Sequence, residues 1–285
     1  MRAAARSSGS PQPEPITSRD NRWLKLFREA LREGYLSETN LIGVEGPHLV
    51  SEAIRCGLGF DACLVSPAGE KHFAALPCAS LTGARILRTT DRLFAGVAAT
   101  EHPQGIAALV RPRESSFDDL VRGDIPLVVV LAGVQDPGNV GTVARSAEAF
   151  GATGLAATRG TADPWSAKAL RASAGSALRL PLLRGMAPAV LLAQLRVAGL
   201  AILAATSKPP RDANSIALAS AQQLQFACAI FIGSEGAGLA PDILRSADVQ
   251  IAVPMTAGVE SLNAGVAASV ILYEAARRRA ERART

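Results

Sequence analysis

The sequence predicts two α/β domains joined by a short linker, and three observations carry that prediction. The chain has 285 residues, 48% of them hydrophobic, which is long for one domain and apolar enough for two cores. Strand-like and helix-like segments alternate along it, the pattern of layered α/β folds with right-handed crossovers. At Leu127 a near-continuous run, LVVVLAGV, begins; such runs form parallel strands buried on both faces.

Residues 1–20 read as a flexible tail. Their early arginines precede no apolar segment, so they are not a secretory signal, and prolines 11, 13 and 15 oppose an amphipathic transit helix. Residues 20–33 have helical spacing, with Trp23, Leu24, Phe27 and Leu31 in one apolar stripe. Arg22, Lys25, Arg28 and Arg32 on that helix form either a basic patch or a solvated face balanced by Glu29 and Glu33. Strand LIGVEG, helix PHLVSEAIRCG, strand DACLVSP, helix EKHFAALP, strand ARILRTT, helix DRLFAGVAAT and strand GIAALVRP complete a small domain over residues 21–112. Pro47 opening a helix and Gly57 closing it fit the usual asymmetry. Residues 113–125, charged and rich in Ser, read as the linker.

The second domain, residues 126–285, follows LVVVLAGV with helix 140–150, strand 153–158, helices 165–177 and 186–198, strands 200–206, 226–232 and 249–253, and helix 261–282. No internal repeat is visible.

Composition excludes several classes. The longest apolar runs, 127–134 and 227–233, fall well short of the ~20 residues a membrane span needs. Cys56, Cys63, Cys78 and Cys228 show no CxxC pairing and read as reduced core thiols of a cytoplasmic protein, with no metal site. His48, His72 and His102 have no sequence partner suggesting a triad. Residues 1–125 hold 15 basic and 15 acidic side chains, so residues 126–285 carry the whole net charge of +5. Two local excesses, Arg159/Lys168/Arg171/Arg179/Arg184 and the terminal Arg277/Arg278/Arg279/Arg282/Arg284, suit phosphate contacts. For the terminal group, complementing the helix dipole is an equal alternative.

Three clusters carry chemistry. In QDPGNVGTVARSAEAFG, Asp136-Pro137-Gly138 makes a tight turn, Asn139 caps the next helix, and Arg145 follows on that helix over the strand C-termini. In FIGSEGAGL, a strand enters a loop with Gly233, Gly236, Gly238 and one carboxylate, Glu235. The glycines permit close backbone approach to a ligand, and their spacing is not the dinucleotide G-x-G-x-x-G. In VQIAVPMTAGVESLNAGVAASVILYEAARRR, a strand ends at Pro254, Ser261 is the expected N-cap of a long helix, and Asn263 falls in its first turn, where propensity would not place it.

Together, in this order, the clusters resemble the three motifs of the SpoU (TrmH-like) family of the SPOUT class: N-x-G-x-x-x-R, G-[SA]-E-G-x-G and IPM…SLN. The match spans roughly residues 126–282. EGPHLVSEAI and ATEHPQGIAALV resemble, less specifically, the substrate-binding module many such enzymes carry, similar in fold to a small RNA-binding ribosomal protein. The resemblance implies an α/β domain with a trefoil knot, a homodimer, and transfer of a methyl group from S-adenosylmethionine to a ribose 2′-hydroxyl of RNA, without a metal. The accessory domain favours ribosomal, large-subunit RNA over tRNA. By position, Thr206, Gly233, Val253 and Leu262 contact the donor; Val253 stands where Ile is common, a change that backbone binding tolerates. Arg145 orients the hydroxyl, and Asn139, Glu235, Ser261 and Asn263 hold Arg145 and the ribose, with Glu235 able to pair with Arg145. A non-catalytic RNA-binding assembly factor is the first alternative, opposed by the intact motif residues. A nucleotide-dependent oxidoreductase is the second, opposed by the missing dinucleotide fingerprint. Membrane and DNA partners are not expected.

Overall fold

The structure, a computed structural model, describes residues 14–207, 215–256 and 259–284. The chain divides into two compact units, Met1–Pro112 and Arg113–Thr285. The expected tail lies mostly outside the described residues, as do positions 257–258 of the loop after Pro254 and the side chain of Cys78.

In the first unit, strands β1 (Glu14–Pro15), β2 (Ile42–Glu45), β3 (Gly59–Val65), β4 (Arg85–Arg88) and β5 (Ile106–Arg111) form a sheet in the order β1-β4-β3-β5-β2. β5 runs antiparallel to β2 and β3, while β1, β3 and β4 are parallel. Helices α1 (Arg22–Glu33), α2 (Pro47–Arg55), α3 (Glu70–Ala74) and α4 (Asp91–Ala95) connect them. α1 packs directly on β2, because a Cβ at Gly43 would sit 2.8 Å from the Leu31 amide nitrogen. Two expectations are corrected here. Residues 14–16 are not free tail: Glu14–Pro15 pair with β4, and the buried Ile16 donates its N–H to the Arg88 carbonyl at 2.7 Å. Trp23 does not join the stripe of Leu24, Phe27 and Leu31. Those three are buried, whereas Trp23, in the first turn, stays half-buried between arginines.

The second unit is built on seven parallel strands: β6 (Leu127–Ala132), β7 (Gly154–Thr158), β8 (Leu182–Met186), β9 (Ala201–Ala205), β10 (Ser215–Ala217), β11 (Cys228–Gly233) and β12 (Val249–Ala252). Their order is β10-β12-β9-β11-β6-β7-β8. Its helices are α5 (Phe117–Leu120), α6 (Pro137–Ala149), α7 (Ala167–Ala172), α8 (Ser176–Arg179), α9 (Pro188–Val197), α10 (Pro241–Ser246) and α11 (Ala264–Arg282). Every residue of β6 is buried, as its composition requires. The chain proceeds from β6 through β7 to β8, crosses to β9, then inserts β11 between β9 and β6 and β12 between β10 and β9. A reversal of strand order opens a crevice at the strand C-termini.

The expected linker carries one short helix, α5. Ser116 and Asp119 form a reciprocal capping box on α5, and Leu120 is fully buried against Gly154, where a Cβ would meet it at 2.5 Å. The expected helix 165–177 breaks into α7 and α8 at Ala174 and Gly175, both at positive φ. β8, β10 and α10 were not anticipated.

Most cations of the two basic runs are engaged within the chain. Arg277 and Arg278 pair with Glu274. Arg279 donates to the carbonyls of Ile125 at 2.7 Å and Leu224 at 3.0 Å, and also to those of Pro126 and Phe226. Arg282 reaches the Gln225 carbonyl at 3.0 Å and lies over the Phe226 ring. Arg279 and Arg282 thus bolt α11 to the segment entering β11, while Arg277 and Arg278 are held within α11 by Glu274. Arg179 pairs with Glu148, Arg184 with Asp163 and Lys168 with Asp136, leaving Arg171 exposed on α7. Cys63 and Cys228 are core thiols, and burial pushes the Cys63 thiol up to about 12. Cys56 is only half-buried.

Candidate active site

Three neighbouring strands of the second unit, β9, β11 and β12, end at one cavity of about 230 Å³. Thr206 follows β9, Gly233 closes β11, Val253 follows β12, and Leu262 precedes α11; all four line the cavity, with Glu235 and Ser261. These positions are far apart in sequence, and the parallel sheet brings their backbones to the same edge. Gly233 admits no side chain, since a Cβ there would lie 2.3 Å from the Gly238 carbonyl carbon. The loop behind it closes on itself through two bonds, Ser234 N–H to the Gly238 carbonyl at 3.2 Å and Gly238 N–H to the Ser234 carbonyl at 3.0 Å. Gly238 holds φ +69, a left-handed conformation that favours glycine.

The lining is chemically uneven. Ile232, Leu239, Leu244, Met255 and Ile271 give it an apolar wall, while Thr206, Ser234 and Ser261 give it hydroxyls. Its charged residue is the carboxylate Glu235, and no Lys or Arg is among the lining residues. An apolar wall for a purine, backbone groups for polar edges, and a negative rather than positive rim suit a sulfonium-bearing donor. Leu244, Met255 and Ile271 were not singled out from sequence, since on α10, the loop and α11 they look like ordinary core.

At the rim, three motif side chains form one hydrogen-bonded chain. Asn263 Nδ2 donates to Asn139 Oδ1 at 2.9 Å, and Asn139 Nδ2 donates to Glu235 Oε1. Asn139 is 8% exposed, so both ends of its amide must be satisfied within the protein.

The helix caps differ from the sequence expectation. α6 begins at Pro137, with Asp136 as its N-cap accepting from the Gly138 N–H at 3.1 Å. Asp136 before a helix-opening Pro is a recognisable cap signal, and Pro137 and Gly138 open α6 rather than form a separate turn before it. Asn139 is therefore free of capping duty and inside the first turn. A hydrogen bond from Lys168, then one from the Gly138 N–H, holds the Asp136 carboxyl below its ordinary range. On α11 the N-cap is Asn263, whose Oδ1 accepts the Val266 N–H at 3.2 Å; Ser261 is exposed at the cavity instead. Asn263 at the helix start is explained by two duties, since its Oδ1 caps and its Nδ2 binds Asn139.

Arg145 does not join this cluster. At about 100° per residue, α6 turns Val140, Val143, Ala144 and Ala147 into the core. Gly141 meets α7 and Glu148 pairs with Arg179 of α8, while Ser146 meets Ser269 and Phe150 meets Tyr273 on α11. The remaining side carries Arg145, which is exposed and makes no hydrogen bond or ion pair among the described residues. The expected Glu235–Arg145 pairing within one chain is therefore corrected, and Glu235 is taken by Asn139.

Comparison with known proteins identifies the family. Residues 126–273 match the SpoU rRNA Methylase family model, and residues 27–108 match the MRM3-like substrate binding domain. The chain is 32% identical over 266 residues to an uncharacterized tRNA/rRNA methyltransferase of Synechocystis, covering 92% of this chain and 93% of the relative. It is 30% identical over 258 residues to the 23S rRNA (guanosine(2553)-2′-O)-methyltransferase RlmP of Bacillus subtilis, covering 90% and 97%. Among solved structures, the S-adenosylmethionine-bound rRNA methyltransferase of Sinorhizobium meliloti superposes with a TM-score of 0.79 at 26% identity, over 93% of this chain and 97% of that one. With a family model spanning more than half the chain, this protein belongs to the SpoU rRNA methylase family of S-adenosylmethionine-dependent RNA methyltransferases.

Proposed function

We propose that the cavity holds S-adenosylmethionine and that the protein methylates a ribose 2′-hydroxyl of large-subunit ribosomal RNA. The observation that carries this is the convergence of Thr206, Gly233, Val253 and Leu262 on one cavity, beside the Asn263–Asn139–Glu235 chain. RlmP, which resembles this chain over nearly its full length, acts on a guanosine ribose of 23S rRNA, and the first unit matches a substrate-binding domain that would help hold such a target. The reading places the protein in the cytoplasm with that RNA. No helix among the described residues is long and apolar enough to cross a membrane.

The bound donor supplies an electrophilic methyl group on a sulfonium. The protein's residues bind and orient. Backbone groups at Thr206, Gly233, Val253 and Leu262 hold the donor, and Asn139, Glu235, Ser261 and Asn263 position the ribose. A 2′-hydroxyl is a weak acid, and a guanidinium does not act as its base at neutral pH. Arg145 therefore orients the hydroxyl and a neighbouring phosphate, and the proton leaves to that phosphate or to water.

Arg145 performs this role in a homodimer, on the partner's cavity. Its separation from Asn139 around α6 supports that arrangement, as does the exposed row Val266, Val270 and Tyr273 on α11, spaced as one helix face. The trefoil knot belongs to the same reading, supported by the late insertion of β11 and β12 between earlier strands.

The test is transfer of labelled methyl from S-adenosylmethionine to total RNA of cells lacking this protein, with 2′-O-methyl mapping. Label at one ribose of large-subunit rRNA, lost with Arg145→Ala, is expected. Absence of donor binding would instead favour a non-catalytic RNA-binding factor.

A further inference from the structure

The first unit carries a surface that the chemistry above does not use. α1 turns Leu24, Phe27, Ala30 and Leu31 inward, and its exposed side presents Arg22, Lys25, Arg28 and Arg32 at spacings of three and four residues. The acidic residues on that helix leave the face basic. Arg32 and Glu33 meet at 3.7 Å with side chains 81% and 64% exposed, a pair that water largely screens. Glu29 forms no ion pair with Lys25 or any other described residue. At the head of the stripe stands the half-buried Trp23, with the guanidinium carbons of Arg22 and Arg85 5.4 and 5.7 Å from its ring centroid. Arg28 extends the stripe to the end of α4, where its Nε–H donates to the Gly96 carbonyl at 3.1 Å.

We propose that this face binds an unpaired stretch of RNA, with a base stacked on the Trp23 platform and phosphates along Arg22, Lys25 and Arg28. The proposal rests on the RNA methyltransferase reading and adds the kind of RNA the first unit grips. A merely solvated helical face has no use for an indole, and a duplex would offer it phosphates without a base face. Single strands offer both, and bases stack on guanidinium planes as well as on aromatic rings. The Arg22–Trp23–Arg85 group is therefore a surface for splayed bases, and the cations beyond it follow the backbone. Trp23 lies outside residues 27–108, the stretch matched as a substrate-binding domain.

The experiment uses the full chain and a fluorescently labelled single-stranded RNA of about ten nucleotides, within the span of one stacking groove. Anisotropy is read against salt, with a hairpin duplex of equal length as competitor. Trp23→Ala should weaken binding about ten-fold, Trp23→Phe should restore most of it, and Arg22→Ala with Arg85→Ala should flatten the salt dependence. Donor binding should be unchanged in every variant, because none of these residues lines the cavity. Three outcomes would overturn the proposal: unchanged affinity in Trp23→Ala, equal loss in the Ala and Phe variants, or a duplex that competes as well as the single strand. Methyl transfer by the wild-type protein is measured in parallel. If transfer stands while the Trp23 variants bind normally, only this inference fails; loss of donor binding in the wild type removes the reading beneath it.

Discussion

Asn139 and Asn263, 124 positions apart in the chain, are joined by a 2.9 Å hydrogen bond from the Asn263 amide to the Asn139 carbonyl oxygen. That bond fixes which end of the Asn139 amide points outward, leaving Nδ2 to meet Glu235. Asn139→Ala would break both links and strand a carboxylate at the rim. Methyl transfer should fall by about 100-fold, as expected when substrate-positioning groups are misplaced. Donor affinity should change little, and calorimetry should register a loss of about 1–3 kcal/mol for the unsatisfied partners.

Gly233→Ala drives a Cβ into the Gly238 backbone at 2.3 Å. A backbone neighbour cannot rotate away as a side chain can. The loop should shift and donor binding should be lost, with overpacking costing about 1–3 kcal/mol. Equilibrium dialysis with labelled donor, alongside a thermal melt, checks both.

Arg145→Ala and Arg145→Lys should both be nearly inactive, because a point charge lacks the planar fork that grips hydroxyl and phosphate together. Both should keep wild-type thermal stability, since Arg145 has no partner among the described residues. Wild-type turnover by Arg145→Lys would show that charge alone suffices.

Arg279 bonds backbone carbonyls on both sides of the entry to β11. Arg279→Ala should lower stability by about 1.5–3 kcal/mol, the usual contribution of a charged donor. Denaturant unfolding measures it.

Glu274 is held down to about 2, chiefly by its hydrogen bond from Arg277 and further by Arg278, against the opposing effect of burial. Its folded pKa lies below the ordinary 4.5, so its contribution is complete above that pH and is lost as pH falls from about 4.5 toward 2. Thermal melts across that window should show the decline, and Glu274→Gln should flatten it.

Much of the architecture was legible because periodicity survives without tertiary context: LVVVLAGV reads as a buried strand, and the α6 and α11 segments read as helices. The missed elements lack that signal. β8 contains Arg184 and Gly185 and is half-exposed, and α5 is four residues long, stabilised by its capping box and the burial of Leu120. The motif residues could be named from resemblance, yet their partners could not.

By itself, the sequence determined the α/β class, the family and the residue types at the site, because these depend on local pattern and motif spacing. The tertiary structure alone decided that within the chain Glu235 pairs with Asn139 rather than Arg145, that Asn263 and not Ser261 caps α11, and that Arg279 and Arg282 clamp carbonyls. Each of those outcomes depends on which backbone or side chain the fold places within hydrogen-bonding distance, across separations that no sequence window spans.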